Sequence, residues 1–81
     1  MLHIDKSVLS AFLTDAGKRH LGEDWPLKYS EDAVAKFGVS EREFFGRLTN
    51  AQAAHHAYEE RLGKPDEHWA DWYANHMLAD A

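Results

Sequence analysis

The chain has 81 residues, no cysteine, and a formal net charge of −5 with its six histidines neutral. A chain of this length makes one domain that buries only about 60–65% of its unfolded surface, so without a disulfide it depends on dense packing or on a partner. The acidic balance argues against nucleic acid or anionic lipid as the main partner, since both call for a basic surface, and no run approaches the ~18 apolar residues of a membrane span.

The N-terminal piece does not read as a signal peptide. Its apolar run, Val8–Leu13, is short, and Asp5 stands where basic charge belongs. With no cysteine to oxidise, the sequence fits a reducing compartment, and the expected location is the cytoplasm. Asp5 is suited to cap a first helix running to about Leu21. Val8, Leu9, Phe12, Leu13 and Ala16 give that helix one apolar face. Gly17 weakens it locally. Lys18, Arg19 and His20 complement its C-terminal end, and Gly22 is expected to provide the left-handed stop.

The segment Glu23–Tyr29 is expected to be a loop, because Pro26 biases Trp25 towards an extended backbone. Trp25 and Tyr29 are expected to fold back over a core edge. Ser30 is placed as the cap of a short helix, Glu31–Phe37, with Ala33, Val34 and Phe37 inward and Gly38 as its stop. Val39-Ser40-Glu41-Arg42-Glu43-Phe44 reads as a capping box inside a hydrophobic staple. From Phe44 the positions Leu48, Ala51, His55, Tyr58 and Leu62 follow at steps of four and three, so one long helix as far as Gly63 is favoured, while a second cap, Thr49 with Gln52, permits a break or kink near Gly46–Asn50 that would make it two. Lys64-Pro65 then turns the chain into a last helix. Pro65 suits its first turn, and Asp66 and Glu67 suit the positive end of its dipole. Trp69, Trp72, Tyr73, His76 and Met77 lie on one face of this helix, and Asp80 ends the stripe. No alternating β-branched run suggests a strand.

The fold expected is therefore all-α, a small four-helix domain over residues 1–81 that ends in an αα-hairpin. His55, His56, Glu59 and Glu60 spell HHxxEE, two i,i+4 pairs about 100° apart around the helix. They diverge, and neither HExxH nor the inward ExxH of di-iron bundles is present, so no metal and no cofactor is expected. His55 on one arm of the hairpin and His76 on the other are placed to share an aromatic cleft with Tyr58, Trp69, Trp72 and Tyr73, the outline of a small-ligand or general-base site. Ala33–Leu48 has the outline of a helix-turn-helix, but its second helix sets Glu41 and Glu43 against Arg42 and Arg47 and carries no net charge there.

The stretch AQAAHHAYEERLGKPDEHWADWYANHML resembles a helical tail found after the glyoxalase/bleomycin-resistance (vicinal oxygen chelate) domain of some bacterial proteins. The features that match are the alanine-rich start, His55, Glu59-Glu60, the Gly63 corner, Asp66, Trp69 and Trp72-Tyr73-Ala74. The resemblance covers about a third of the chain and implies a helical hairpin used in packing or association. That family's metal ligands lie on β-strands, so the resemblance assigns no catalytic or metal residue here.

Trp72, His76, Trp69, Tyr73, Met77, Ala70 and Ala74 together sweep roughly 200° of the last helix, whereas packing on one neighbour needs an apolar stripe only a little over ~100° wide. The chain is accordingly expected to be a small interaction module that forms a homodimer or docks on a protein partner, with no nucleic-acid or membrane partner. A ligand site or minor enzyme built on His55 and His76 is the alternative reading, and DNA binding is the third.

Overall fold

Asp5 starts the first helix. Its carboxylate accepts the Ser7 amide at 2.9 Å and the Ser7 hydroxyl at 3.0 Å, satisfying a donor that the first turn would otherwise leave open. The computed structural model describes residues 3–79. These form four helices, α1 Lys6–Arg19, α2 Trp25–Phe37, α3 Glu41–Leu62 and α4 Trp69–Leu78, and no strand among the described residues. The all-α reading holds. Asp80 lies outside the described residues, as does the end of the last helix expected from the sequence.

Four local expectations are corrected in the first half of the chain. Gly22 does not stop α1: His20 in an extended conformation is its C-cap, and the only positive-φ residues described are Gly38 and Gly63. The segment expected as a loop before Ser30 is instead the first part of α2. Pro26 sits in the first turn of that helix, where its missing N–H costs nothing, and this outweighs the bias on Trp25. Ser30 is then an interior residue, fully buried, with its hydroxyl donating to Pro26 O at 2.7 Å. Val34 turns outward at 37% exposure, while Ala33 is buried and Phe37 half-buried.

Helix α3 is continuous over 22 residues. Ser40 Oγ accepts the Glu43 amide at 3.3 Å. Among the described residues the return bond of the capping box does not form; the Glu43 carboxylate is met by Arg47 Nε at 3.2 Å. Gly63 ends the helix at φ 77°. Phe44, Leu48, Ala51 and His55 of the expected stripe are buried, and Leu62 at its end is exposed.

The last helix begins at Trp69 rather than Pro65. The Asp66 amide donates to Glu59 Oε2 at 2.9 Å, and Asp66 Oδ1 accepts the His68 amide at 2.9 Å. With backbone and side chain engaged this way, residues 65–68 are held as a loop. Helices α3 and α4 then run antiparallel, Arg47 Nη1 donating to Met77 O at 2.8 Å near one end and Tyr58 stacking on Trp72 near the other.

The wide apolar arc of α4 is covered from two sides, by α3 and by α1. Ser10 Oγ of α1 donates to Asp71 Oδ1 at 2.5 Å. Leu9, Phe12, Leu13 and Ala16 of α1 join Ala70, Tyr73, Ala74 and Met77 of α4 in the core. Phe12 is the hinge point between layers, packing edge-on against Phe37 of α2 and Phe44 of α3 with centroids 5.2 and 5.9 Å away. Of the aromatic residues on α4, Tyr73 is buried within the chain, while Trp69 and Trp72 are half-buried. No helix among the described residues is long and apolar enough to cross a membrane.

Candidate functional site

Helix α4 presents aromatic rings in two directions, and the two sides differ chemically. Towards α3 lie His55, Tyr58, Trp72 and His76. Trp72 meets His55 edge-on at 4.9 Å and stacks on His76 at 5.3 Å with the planes only 7° apart. The two imidazoles therefore sit against different parts of one indole and line separate grooves. His55 borders one with Gln52, His56 and Glu59; His76 borders another with Arg42, Gly46 and Asn50. The cleft shared by His55 and His76 that the sequence suggests does not form. Met77 is core, at 1% exposure.

His55 is itself only 5% exposed. Its Nε2 lies 3.0 Å from Asp66 Oδ2, and its Nδ1 lies 3.8 Å from Glu59 Oε1. Asp66 is held below the usual carboxylate range, first by the hydrogen bond from His55 and then by the His68 amide. A general base must offer a nitrogen within reach of a substrate proton. Both nitrogens of His55 face carboxylates of this chain, so the geometry is that of a histidine tying α3 to the loop before α4. His56 and Glu60 form an exposed pair at 2.9 Å. Among the described residues no group of three histidines or carboxylates is placed to hold a metal ion.

On its other side α4 packs on α1, and residues from α4, the end of α1 and the start of α2 line an open hollow of about 270 Å³. Trp25, Tyr29, Trp69 and Tyr73 wall it, with His20 and Leu21 at the rim and Gly17 as the floor. Trp25 and Tyr29 cross at 63° with centroids 4.9 Å apart, and Trp69 and Tyr73 cross at 87° with centroids 5.6 Å apart. Space at Gly17 is tight: a Cβ there would stand 3.0 Å from the Tyr29 hydroxyl and 3.2 Å from the Trp69 ring, so those groups would have to give by a few tenths of an ångström. Leu21 is left 85% exposed beside the opening. His20 Nε2 is turned to Asp32 Oδ2 at 2.7 Å.

Tyr29 and Tyr73 are buried as residues, at 4% and 7% exposure, yet neither hydroxyl has a hydrogen-bond partner among the described residues. No sealed side-chain polar atom of the described residues lacks a partner, so both phenol oxygens keep contact with solvent. Burial raises the Tyr29 hydroxyl above its ordinary value. Tyr73 is pushed up to about 12, chiefly by burial and further by the negative charge of Glu59 and by Tyr29. Both phenols therefore stay protonated and neutral across the physiological range.

Of the residues singled out from the sequence, Trp69 belongs to this hollow, and Tyr73 borders both it and the groove beside His55. His55, Tyr58 and Trp72 form the opposite cluster, which His76 joins only through the far face of Trp72. Sequence reading missed Gly17 as a site residue, and it treated Trp25 and Tyr29 only as a lid. The available signal was Gly17 itself, a glycine inside an otherwise well-formed helix, which often marks a close approach of another group. Comparison with family models, curated proteins and solved structures finds no match to this chain.

Proposed function

We propose that the chain is a small helical binding module rather than an enzyme, and that its recognition element is the hollow between α1, α2 and α4. The observation that carries this reading is the pair of buried tyrosines, Tyr29 and Tyr73, whose hydroxyls lack protein partners and keep contact with solvent. Two neutral phenol hydroxyls with no partner among the described residues, beside two indoles, suit a ligand with an apolar body and a polar or charged point. The exposed Leu21 at the rim extends the apolar contact. A volume of about 270 Å³ lies just below the range of ligand pockets, which starts at about 300 Å³, and suits only a compact ligand or a single side chain. The enzyme reading is disfavoured because His55, the buried histidine nearest to a catalytic geometry, has both ring nitrogens directed at carboxylates.

The test is saturation-transfer NMR from the protein to 3,3-dimethylbutan-1-ol, a compact apolar alcohol. Transfer is expected with the wild type and with Phe45→Ala, which removes an exposed ring outside the hollow, and is expected to disappear with Trp25→Ala. Equal transfer in all three proteins, or none in the wild type, would sink the reading.

A further inference from the structure

We propose that the hollow binds a methylated ammonium group, the rings of Trp25, Tyr29, Trp69 and Tyr73 serving as an aromatic cage for the cation. This deepens the binding-module reading and rests on it. Three observations bear on the charge and shape of the ligand.

The first is ring geometry. The two wall pairs cross at 63° and 87°, so the hollow is bounded by rings in several orientations rather than by one flat stack. A flat aromatic ligand is best held between parallel faces. A rounded cation is best held by rings of differing orientation, because each face carries the negative part of the ring quadrupole.

The second is the charge around the hollow. The chain as a whole carries −5, and among the described residues no lysine or arginine lines the hollow. Arg19, which precedes His20 in the chain, is paired with Asp15 and Asp32 at 3.4 and 3.2 Å. His20 is likewise turned to Asp32. The local balance therefore favours a positive ligand and disfavours an anion.

The third is the absence of a strong acceptor inside. The lining is four aromatic side chains with Gly17, His20 and Leu21, and no carboxylate is among it. A primary ammonium, with three N–H donors to satisfy, would leave donors unmet on such a wall. A methylated ammonium presents C–H groups instead, and loses little on leaving water for aromatic faces. The floor at Gly17 lets Tyr29 and Trp69 approach the helix closely and leaves the space above them open.

The same head group occurs on free small molecules and on methylated lysine side chains. Choline and Nα-acetyl-trimethyllysine amide are the probes for the two sources, and the tighter of the two names the source. The decisive comparison is between choline and 3,3-dimethylbutan-1-ol, which share a shape and differ in charge, with dissociation constants measured by NMR titration of the whole chain. Choline is expected to bind about tenfold more tightly than the alcohol. Trp25→Leu, which keeps an apolar wall and removes its π face, is expected to weaken choline more than the alcohol and so to reduce that preference. Equal affinity for the two probes, or a preference for the alcohol, would overturn the cationic ligand and leave the hollow as an apolar site. Failure of both to bind would overturn the binding-module reading as well. An unchanged preference in Trp25→Leu would take Trp25 out of the cage and overturn the proposal as drawn.

Discussion

His55 Nε2 lies 3.0 Å from Asp66 Oδ2, and this bond joins the buried middle of α3 to the loop that carries the chain into α4. The imidazole also packs against Trp72 and Tyr73 at 4.9 and 5.0 Å. His55→Ala removes both the hydrogen bond and the packing. The expected loss is about 2–4 kcal/mol of unfolding free energy by urea denaturation. A loss below about 0.5 kcal/mol, the range of neutral surface changes, would show that the latch does not hold the hairpin.

The same contact sets an acid dependence. Asp66 is depressed by its hydrogen bond from His55 and by the His68 amide. A carboxylate whose folded pKa is lowered contributes stability that is fully present above its unfolded value of about 3.9 and is lost as the pH falls through the lower folded value. The thermal midpoint of the wild type is therefore expected to fall more steeply than that of Asp66→Asn between about pH 5 and pH 2. Parallel curves would remove Asp66 as the source.

Two helical glycines are expected to respond oppositely to alanine. Gly46 in α3 has nothing within 4 Å of the position a Cβ would take, so Gly46→Ala gains the helix preference of alanine, about 0.5–1 kcal/mol. Gly17→Ala would bring a methyl to 3.0 Å from the Tyr29 hydroxyl and 3.2 Å from the Trp69 ring. That crowding offsets the helix gain, and no stabilisation is expected. Equal stabilisation of both variants, read from denaturation midpoints, would mean that Gly17 is not the floor of a tight approach.

Much of this architecture is visible in the residues alone. Asp5 and Ser40 announce helix starts, Gly38 and Gly63 announce stops, and the unbroken phase from Phe44 to His55 announces one long α3. The misplaced boundaries have a common cause. Pro26 and Pro65 stand in similar local settings, yet Pro26 opens a helix while Pro65 lies in a loop held by Asp66, Glu59 and His55. Those bonds bridge residues seven and eleven apart, beyond what a helical period reveals. The hollow was harder still to foresee, because it depends on Gly17 of α1 meeting Trp69 of α4, and no local pattern pairs the first helix with the last.

Coverage of α4 by α1 as well as α3 bears on association. Sedimentation equilibrium at high micromolar concentration is expected to give a single species near 9.3 kDa, because Ala70, Tyr73, Ala74 and Met77 are already buried within one chain. A stable species of twice that mass, weakened by Trp72→Ala, would restore the aromatic helix as a dimer interface.

The central claim is that the hollow between α1, α2 and α4 receives a ligand, and the three tryptophans report on it directly. Trp25 and Trp69 line the hollow, whereas Trp72 packs on His55, Tyr58 and His76 on the other side of α4. The measurement is the titration of the three indole N–H resonances with choline. The signals of Trp25 and Trp69 are expected to move along one saturating curve while that of Trp72 stays fixed. Unmoved Trp25 and Trp69 signals, or a Trp72 signal that moves together with them, would contradict the account.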